Sequence, residues 1–96
     1  MTAYWLARAR VDEPDQYARY ASKVPAILEQ FGGNVLARGG RHETLEGPTD
    51  FNRFVVIAFP DLDAARACFN SDDYQEAAAF RRDGGGMVEI TIVEAI

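Results

Sequence analysis

The stretch Gly32-Gly33-Asn34-Val35-Leu36-Ala37-Arg38-Gly39-Gly40 organises this chain. Two glycine pairs enclose one short apolar segment, which is typical of a strand between a helix stop and a bend. The residues before it have the pattern of a strand followed by a helix. Those after it have the pattern of a strand, helical segments and a last strand, so the chain divides into two halves of similar order.

Alternation with a period of two predicts the other strands. Over Tyr4 to Val11 one face is wholly apolar and the other is mixed. Phe51 to Phe59 is apolar on both faces, which is typical of a central strand. Met87 to Ala95 alternates again and forms the last strand. The pair Gly39-Gly40 predicts a bulge or bend at the end of the short strand Asn34 to Arg38.

Helix signals fill the two gaps between these strands. Asp12-Glu13-Pro14-Asp15 predicts a helix start, with an Asp able to cap it and a proline in the first turn. Apolar residues at spacings of three and four continue to Phe31. Pro25 removes one backbone hydrogen bond, so we expect this helix to bend around Ala21–Ser22.

The second half repeats this order with an interruption. Pro60-Asp61-Leu62-Asp63 predicts a helix start, and Asn70-Ser71-Asp72-Asp73 interrupts the helix that follows. Ser71 is suited to cap a further helix from Tyr74 to about Arg82, which the triple glycine from Gly84 ends. Cys68 lies beside the buried stripe of the first of these helices and is expected to be an inert, buried thiol.

The element order is therefore βαββαβ. Right-handed crossovers turn two βαβ halves into a four-stranded antiparallel sheet with the helices on one face, a ferredoxin-like α+β fold. Residues 1–96 form one domain. Both sheet faces carry large apolar groups, and helices cover only one of them. A second copy packed sheet against sheet would cover the other, so we predict a homodimer; the alternative is a monomer masked by the arm from Arg41 to Phe51.

Charge and composition exclude several classes of protein. A net charge of −5 without a basic cluster repels nucleic acids and anionic membranes, so we predict neither partner. No apolar run approaches the roughly 20 residues of a membrane span. One cysteine builds no intrachain disulfide framework. A cytoplasmic location is the expectation.

The chain also resembles a known family. The similarity lies in the order and spacing of several short motifs: Tyr4-Trp5, Tyr17-Ala18-Arg19-Tyr20, Leu36-Ala37-Arg38-Gly39-Gly40, Leu45-Glu46-Gly47, Phe59-Pro60 and Phe69-Asn70-Ser71-Asp72-Asp73-Tyr74. Together they resemble domain-of-unknown-function family 1330 of the dimeric α/β-barrel superfamily. The resemblance implies a ferredoxin-like subunit and a dimeric barrel. The wider superfamily includes cofactor-free monooxygenases, muconolactone isomerase-like enzymes, haem-degrading enzymes and stress-response barrels, and fold does not choose among them.

Arginines and aromatic residues are the candidates for ligand binding. Arg38 lies in an apolar strand beside two glycines, where a guanidinium is suited to hold a carboxylate or phosphate. Its alternative role is an ion pair with an acidic residue such as Glu46 or Glu89. Arg53 and Arg8, on other strands, have the same two interpretations. Trp5, Tyr17 and Tyr20 are either core residues or the aromatic walls of a pocket.

His42 is the candidate for proton transfer, because only histidine titrates near neutrality without perturbation. The other interpretation is a solvated polar segment, Arg41-His42-Glu43. One histidine beside acidic residues is a poor metal set, and no metal motif is present, so we predict neither a metal nor a cofactor. Haem ligation by His42 has no further support in the sequence.

Two functions remain open at this point. The first is binding or processing of a small anionic, aromatic molecule, with Arg38 and Arg53 holding its acidic group. The second is a structural or regulatory dimer module without turnover. A pocket of a few hundred Å³ reached by Arg38 and an aromatic side chain would favour the first, and an interior without a cavity the second.

Overall fold

Four antiparallel strands form one sheet in a computed structural model that describes residues 1–96. They are β1 (Ala3–Val11), β2 (Asn34–Arg38), β3 (Arg53–Phe59) and β4 (Gly86–Glu94), in the spatial order β2-β3-β1-β4. β1 pairs with both β3 and β4, and β3 also pairs with β2. The two central strands are thus β1 and β3, and the fold is the predicted ferredoxin-like α+β arrangement.

The helices lie in the two crossovers. They are α1 (Pro14–Ala21), α2 (Val24–Gln30), α3 (Leu62–Asn70) and α4 (Asp72–Phe80), and an irregular turn, Arg81–Gly85, leads from α4 into β4. The expected bend before Pro25 is a full break, with Ser22 and Lys23 between α1 and α2. Proline lacks the amide hydrogen that a continuous helix would need there.

Side chains close the helix starts in the second half of the chain only. The Asp61 carboxylate accepts a hydrogen bond from the Ala64 amide, and the Ser71 hydroxyl accepts one from Tyr74. The prediction that Asp12 caps α1 is wrong, because its carboxylate accepts hydrogen bonds from the Arg10 guanidinium instead. This contact holds the pKa of Asp12 below its usual value.

The alternation places the core on one sheet face. Trp5, Ile57 and Phe59 point toward the helices and are buried, and they pack with helical residues such as Leu28 and Tyr74. Aromatic edge-to-face packing joins the layers, with the Trp5 and Tyr74 ring centroids 5.3 Å apart. Apolar burial of this kind is the main favourable contribution to folding.

The bend expected at Gly39-Gly40 is present, and the structure adds a bulge inside β2 that the sequence does not indicate. The register of β2 against β3 shifts between Val35 and Ala37, so the bulge is at Leu36. Gly39 ends the strand with φ +63°, a left-handed conformation that glycine adopts without strain. Because of the bulge, Arg38 lies opposite Val55, whose side chain points toward the helices.

The other sheet face has no helix over it. Large apolar side chains on it are exposed to solvent: Leu6 by 43%, Met87 by 40% and Val93 by 45%. The segment 39–52 forms no regular strand or helix, and His42 from this segment packs against Phe54 on the same face. We call this surface the open face. No helix of the protein has the length and apolar character needed to cross a membrane.

Candidate functional site

A cavity lies between the helix-covered face of the sheet and helices α1 and α2. Its volume is about 50 Å³, and its lining is mainly apolar. Strands contribute Val35, Val55 and Ile57 to the lining, and the helices contribute Val24 and Leu28. This volume exceeds the roughly 10–15 Å³ that one water needs, and it is well below the ~300 Å³ at which drug-sized pockets begin. The cavity is therefore larger than a site for one water and smaller than the few hundred Å³ that would by themselves favour a binding protein.

Arg53 is the main polar group of this cavity. It starts β3 on the helix-covered face, and its guanidinium carbon lies 5.7 Å from the centroid of the Tyr17 ring. Its Nε is buried and has no hydrogen-bond partner. The three ion pairs of the protein use Arg8, Arg10 and Arg66, so no carboxylate neutralises Arg53. A buried donor without a partner is costly, so a hydrogen-bond acceptor at this position would stabilise the folded protein.

Arg38 lies at the edge of the same cavity. It lines the cavity from β2 but is an exposed residue, whereas Arg53 is half-buried. Of the two alternative partners, Glu89 is bound to Arg8 at 2.8 Å, and neither Glu89 nor Glu46 forms an ion pair with Arg38. Gly39 beside it leaves room for Arg53, because a Cβ at Gly39 would lie 2.7 Å from Arg53 Nη1. The glycine therefore allows both arginines to approach one site.

The predicted aromatic residues Trp5, Tyr17 and Tyr20 all line the cavity. All three are also buried members of the core cluster, so the two interpretations of these residues are compatible. Burial raises the pKa of the Tyr17 hydroxyl, and the Tyr20 charge adds to this, while the positive charges of Arg53 and Arg81 act in the opposite direction. Both hydroxyls remain protonated near neutral pH.

The polar lining consists of groups that donate hydrogen bonds. Arg8 also lines the cavity, but its guanidinium binds Glu89, so Arg38 and Arg53 are the arginines at the cavity that have no ion pair. No carboxylate, amide or imidazole side chain lines the cavity. A ligand amine would find no anionic partner here, whereas a carboxylate or phenolate would find several donors.

Sequence reasoning missed one buried charged residue next to this site. Arg81 is only 5% exposed, and one of its nitrogens donates to the Tyr74 hydroxyl at 3.3 Å. The Tyr74 hydroxyl in turn lies 2.8 Å from that of Tyr20. Helical periodicity contains the signal, since Arg81 directly follows α4 and its spacing of seven residues from Tyr74 keeps it on the side of the helix that Tyr74 occupies.

His42 lies outside this cavity. It is exposed, and its ring packs on Phe54 with the centroids 4.7 Å apart, on the open face. Its Nδ1 donates to the Gly40 carbonyl at 3.2 Å. The structure therefore separates His42 from Arg38, Arg53 and the two tyrosines, and a role for His42 in proton transfer stays a prediction. No group of three or more His, Cys, Asp or Glu side chains is arranged to hold a metal ion.

Cys68 is fully buried in α3, as expected for an inert thiol. Burial raises its pKa to about 11, so the thiolate that reacts with electrophiles is scarce at neutral pH. Burial, followed by the charge and hydroxyl of Tyr74, also raises the pKa of Tyr20 well above its ordinary value. These groups keep their protons in the folded state at a pH where the unfolded chain loses them.

We expect the protein to lose stability between about pH 9 and pH 11. Cys68 has an ordinary pKa of 9.0 and a folded pKa of about 11, so the unfolded state binds fewer protons in this window. The free energy of unfolding therefore falls as the pH rises, by at least roughly 1 kcal/mol. Urea unfolding at pH 8 and at pH 10.5 measures this decrease in the free energy of unfolding. Cys68→Ala should reduce the fall, and equal stability at both pH values would contradict the expectation.

Several solved structures share this fold. A protein of unknown function from Rhodopseudomonas palustris, RPA0582, superposes with a TM-score of 0.77 at 18% identity, over 99% of this chain and 82% of its own. SnoaB, a cofactor-independent oxygenase from Streptomyces nogalater, gives 0.67 at 20% identity, over 99% and 93%. A dimeric ferredoxin-like protein of unknown function from Jannaschia sp. CCS1 gives 0.69 at 15%, over 99% and 100%. A search of the curated proteins finds no match.

Fold and cavity together define a ferredoxin-like α+β protein with a small, donor-lined cavity between sheet and helices. The family model for the domain of unknown function DUF1330 matches residues 2–96. The chain therefore belongs to the DUF1330 family, which agrees with the resemblance carried by its motifs.

Proposed function

We propose that this protein binds a small anionic molecule with an apolar, aromatic body in the cavity beneath α1 and α2, without a metal. The observation that carries the proposal is the buried Arg53 Nε, which has no partner at an apolar cavity without a carboxylate. The anionic group would contact Arg53, and Arg38 would hold it from the rim. Tyr17 and Trp5 would contact the apolar body.

The exposed apolar side chains of the open face favour a homodimer as the functional form of the protein. Leu6, Phe54, Val56 and Val93 share this face, and a shallow groove of about 530 Å³ runs along it between β1, β3 and β4. The Arg8–Glu89 ion pair on the same face is neutral as a unit. A second copy would cover the exposed apolar residues through the same surface on both subunits. The similar protein from Jannaschia sp. CCS1 is described as dimeric.

A more specific form of the proposal is that the protein also catalyses a reaction on the bound ligand. SnoaB shows that the fold supports an oxygenase that is cofactor-independent. In this chain a proton would be handled by a tyrosine of the cavity, because His42 lies on the open face. The alternative is a structural or regulatory dimer module, and the small cavity volume of about 50 Å³ favours it.

Thermal unfolding with matched ligands tests the proposal. We expect benzoate to raise the midpoint by several degrees at concentrations well above its dissociation constant, because a ligand that binds only the folded state stabilises it. Benzamide has nearly the same shape without the charge and serves as the control. Equal shifts with benzoate and benzamide, or no shift with benzoate, would contradict the proposed function and leave the structural module as the better account.

A further inference from the structure

The buried polar residues behind the cavity form one connected network. Arg81 donates to the Tyr74 hydroxyl at 3.3 Å, and the two hydroxyl oxygens of Tyr74 and Tyr20 lie 2.8 Å apart. The guanidinium carbon of Arg81 is 5.1 Å from the centroid of the Tyr20 ring. Burial favours the neutral form of Arg81, but the hydroxyls of Tyr74 and Tyr20 outweigh this and raise its pKa, so it stays charged. The network therefore has a fixed cation at one end.

The number of donor hydrogens determines which group donates and which accepts along this network. Arg81 donates and never accepts, so the oxygen of Tyr74 acts as an acceptor toward it. The two tyrosines bring two hydroxyl hydrogens, and their single mutual hydrogen bond uses one of them. One hydrogen is therefore left for an acceptor outside the network.

Burial decides which tyrosine keeps that hydrogen. Tyr74 is fully buried, does not line the cavity, and has no other acceptor for its hydroxyl. Tyr20 lines the cavity. If Tyr20 donated to Tyr74, the Tyr74 hydrogen would be buried without a partner, which is costly. The favoured order is thus Arg81 to Tyr74 to Tyr20, with the Tyr20 hydrogen free to serve the cavity.

We infer that Arg81 and Tyr74 are positioning residues that direct the Tyr20 hydroxyl hydrogen into the cavity, where it donates to an oxygen anion of the ligand. The inference rests on the proposed function and narrows its ligand class. Arg53 and Tyr20 then offer hydrogens only, so the site selects a phenolate, enolate or carboxylate and rejects a ligand that presents an N–H or O–H to them. Polarisation along the chain of hydrogen bonds strengthens the last donor.

A phenol that changes colour on ionisation tests this order, and 4-nitrophenol is the probe. Wild-type protein should bind its phenolate in preference to the neutral phenol and so lower its pKa. Tyr20→Phe should weaken phenolate binding roughly tenfold, the usual effect of losing a hydrogen bond to a charged group. Tyr74→Phe changes no charge and leaves the cavity lining intact. It should weaken binding about threefold in wild type and have no effect in Tyr20→Phe.

The outcomes separate this inference from the proposed function. If wild type does not bind 4-nitrophenolate, or Arg53→Met binds it equally well, the proposed function fails and the inference fails with it. If binding depends on Arg53 but not on Tyr20, or if Tyr74→Phe weakens binding equally in the Tyr20→Phe background, only the inference fails. If Tyr74→Phe does not fold, Arg81→Met replaces it in the same two backgrounds. The inference then requires that Arg81→Met weakens phenolate binding more in wild type than in Tyr20→Phe, and equal weakening would overturn it.

Discussion

Replacing Arg53 by methionine is expected to reduce benzoate affinity by roughly 10- to 100-fold while leaving the folded state at least as stable. The lost interaction is a charge-assisted hydrogen bond, which contributes about 1.5–3 kcal/mol. Arg53 makes no ion pair, and its buried Nε has no partner, so in the unliganded protein the contact of this charge is the one with the Tyr17 ring. Methionine is similar in length and keeps the contact with Tyr17.

The combination of lost binding and kept stability distinguishes a ligand-binding arginine from a structural one. Calorimetric titration gives the affinity, and urea unfolding of the free protein gives the stability. Arg66→Met is the matched control, because Arg66 is exposed on α3 and pairs only with Asp63. Arg38→Met should reduce benzoate affinity by a few fold, less than Arg53→Met and more than Arg66→Met, since Arg38 is exposed at the rim. Unchanged affinity in Arg53→Met would remove Arg53 from the site.

Replacing Leu6 by aspartate is expected to convert the proposed dimer into a folded monomer. Leu6 lies on central strand β1, opposite Val56 of β3 and Thr91 of β4, and is 43% exposed in the single subunit. A carboxylate at this position remains hydrated in a monomer but is buried without a partner in a dimer. Such a charge costs roughly 3 kcal/mol or more, which weakens association at least about a hundredfold.

Light scattering at micromolar concentration measures this change. Wild type should have the mass of two chains and Leu6→Asp that of one, with unchanged circular dichroism. Ala79→Asp adds the same charge on the exposed surface of α4 and should remain dimeric. A wild-type protein that is monomeric at this concentration would contradict the dimer, and the segment 39–52 would then be the cover of the open face.

Much of the fold follows from local sequence patterns. Strict alternation in Tyr4 to Val11 and Phe51 to Phe59 places Trp5 and Ile57 on the helix-covered face and Leu6 and Val56 on the open face, as observed. Because successive side chains of a strand point to opposite faces, burial of one face fixes the face of every residue. The break before Pro25 is equally local, because the missing amide hydrogen acts within its own turn.

Details that depend on contacts between distant residues are less predictable. The glycines predict the bend at Gly39-Gly40 but not the bulge at Leu36, since the register against β3 decides where the extra residue fits. Asp12 is a residue type that caps helices, but Arg10, only two residues earlier, binds its carboxylate. The bulge thus depends on a strand distant in sequence, whereas the cap is lost to a competing local contact.

The candidate site is also only partly predictable from the sequence. Composition and strand position single out Arg38, Arg53 and the aromatic residues, and the fold brings these residues to one cavity. The sequence does not rank Arg53 above Arg38, because exposure depends on where α1 and α2 cover the sheet. His42 attracts attention by residue type alone, yet the chain after Gly39 takes it to the open face.

The most direct test of the central claim is the NMR signal of the Arg53 Nε–H group during titration with benzoate. If Arg53 holds the anion, this signal moves progressively to a saturated value with benzoate and stays in place with benzamide. Arg66 provides an internal control, because it is exposed on α3, pairs with Asp63 and does not line the cavity. An Arg53 signal that stays unchanged while benzoate binds, or moves equally with benzamide, would contradict the account.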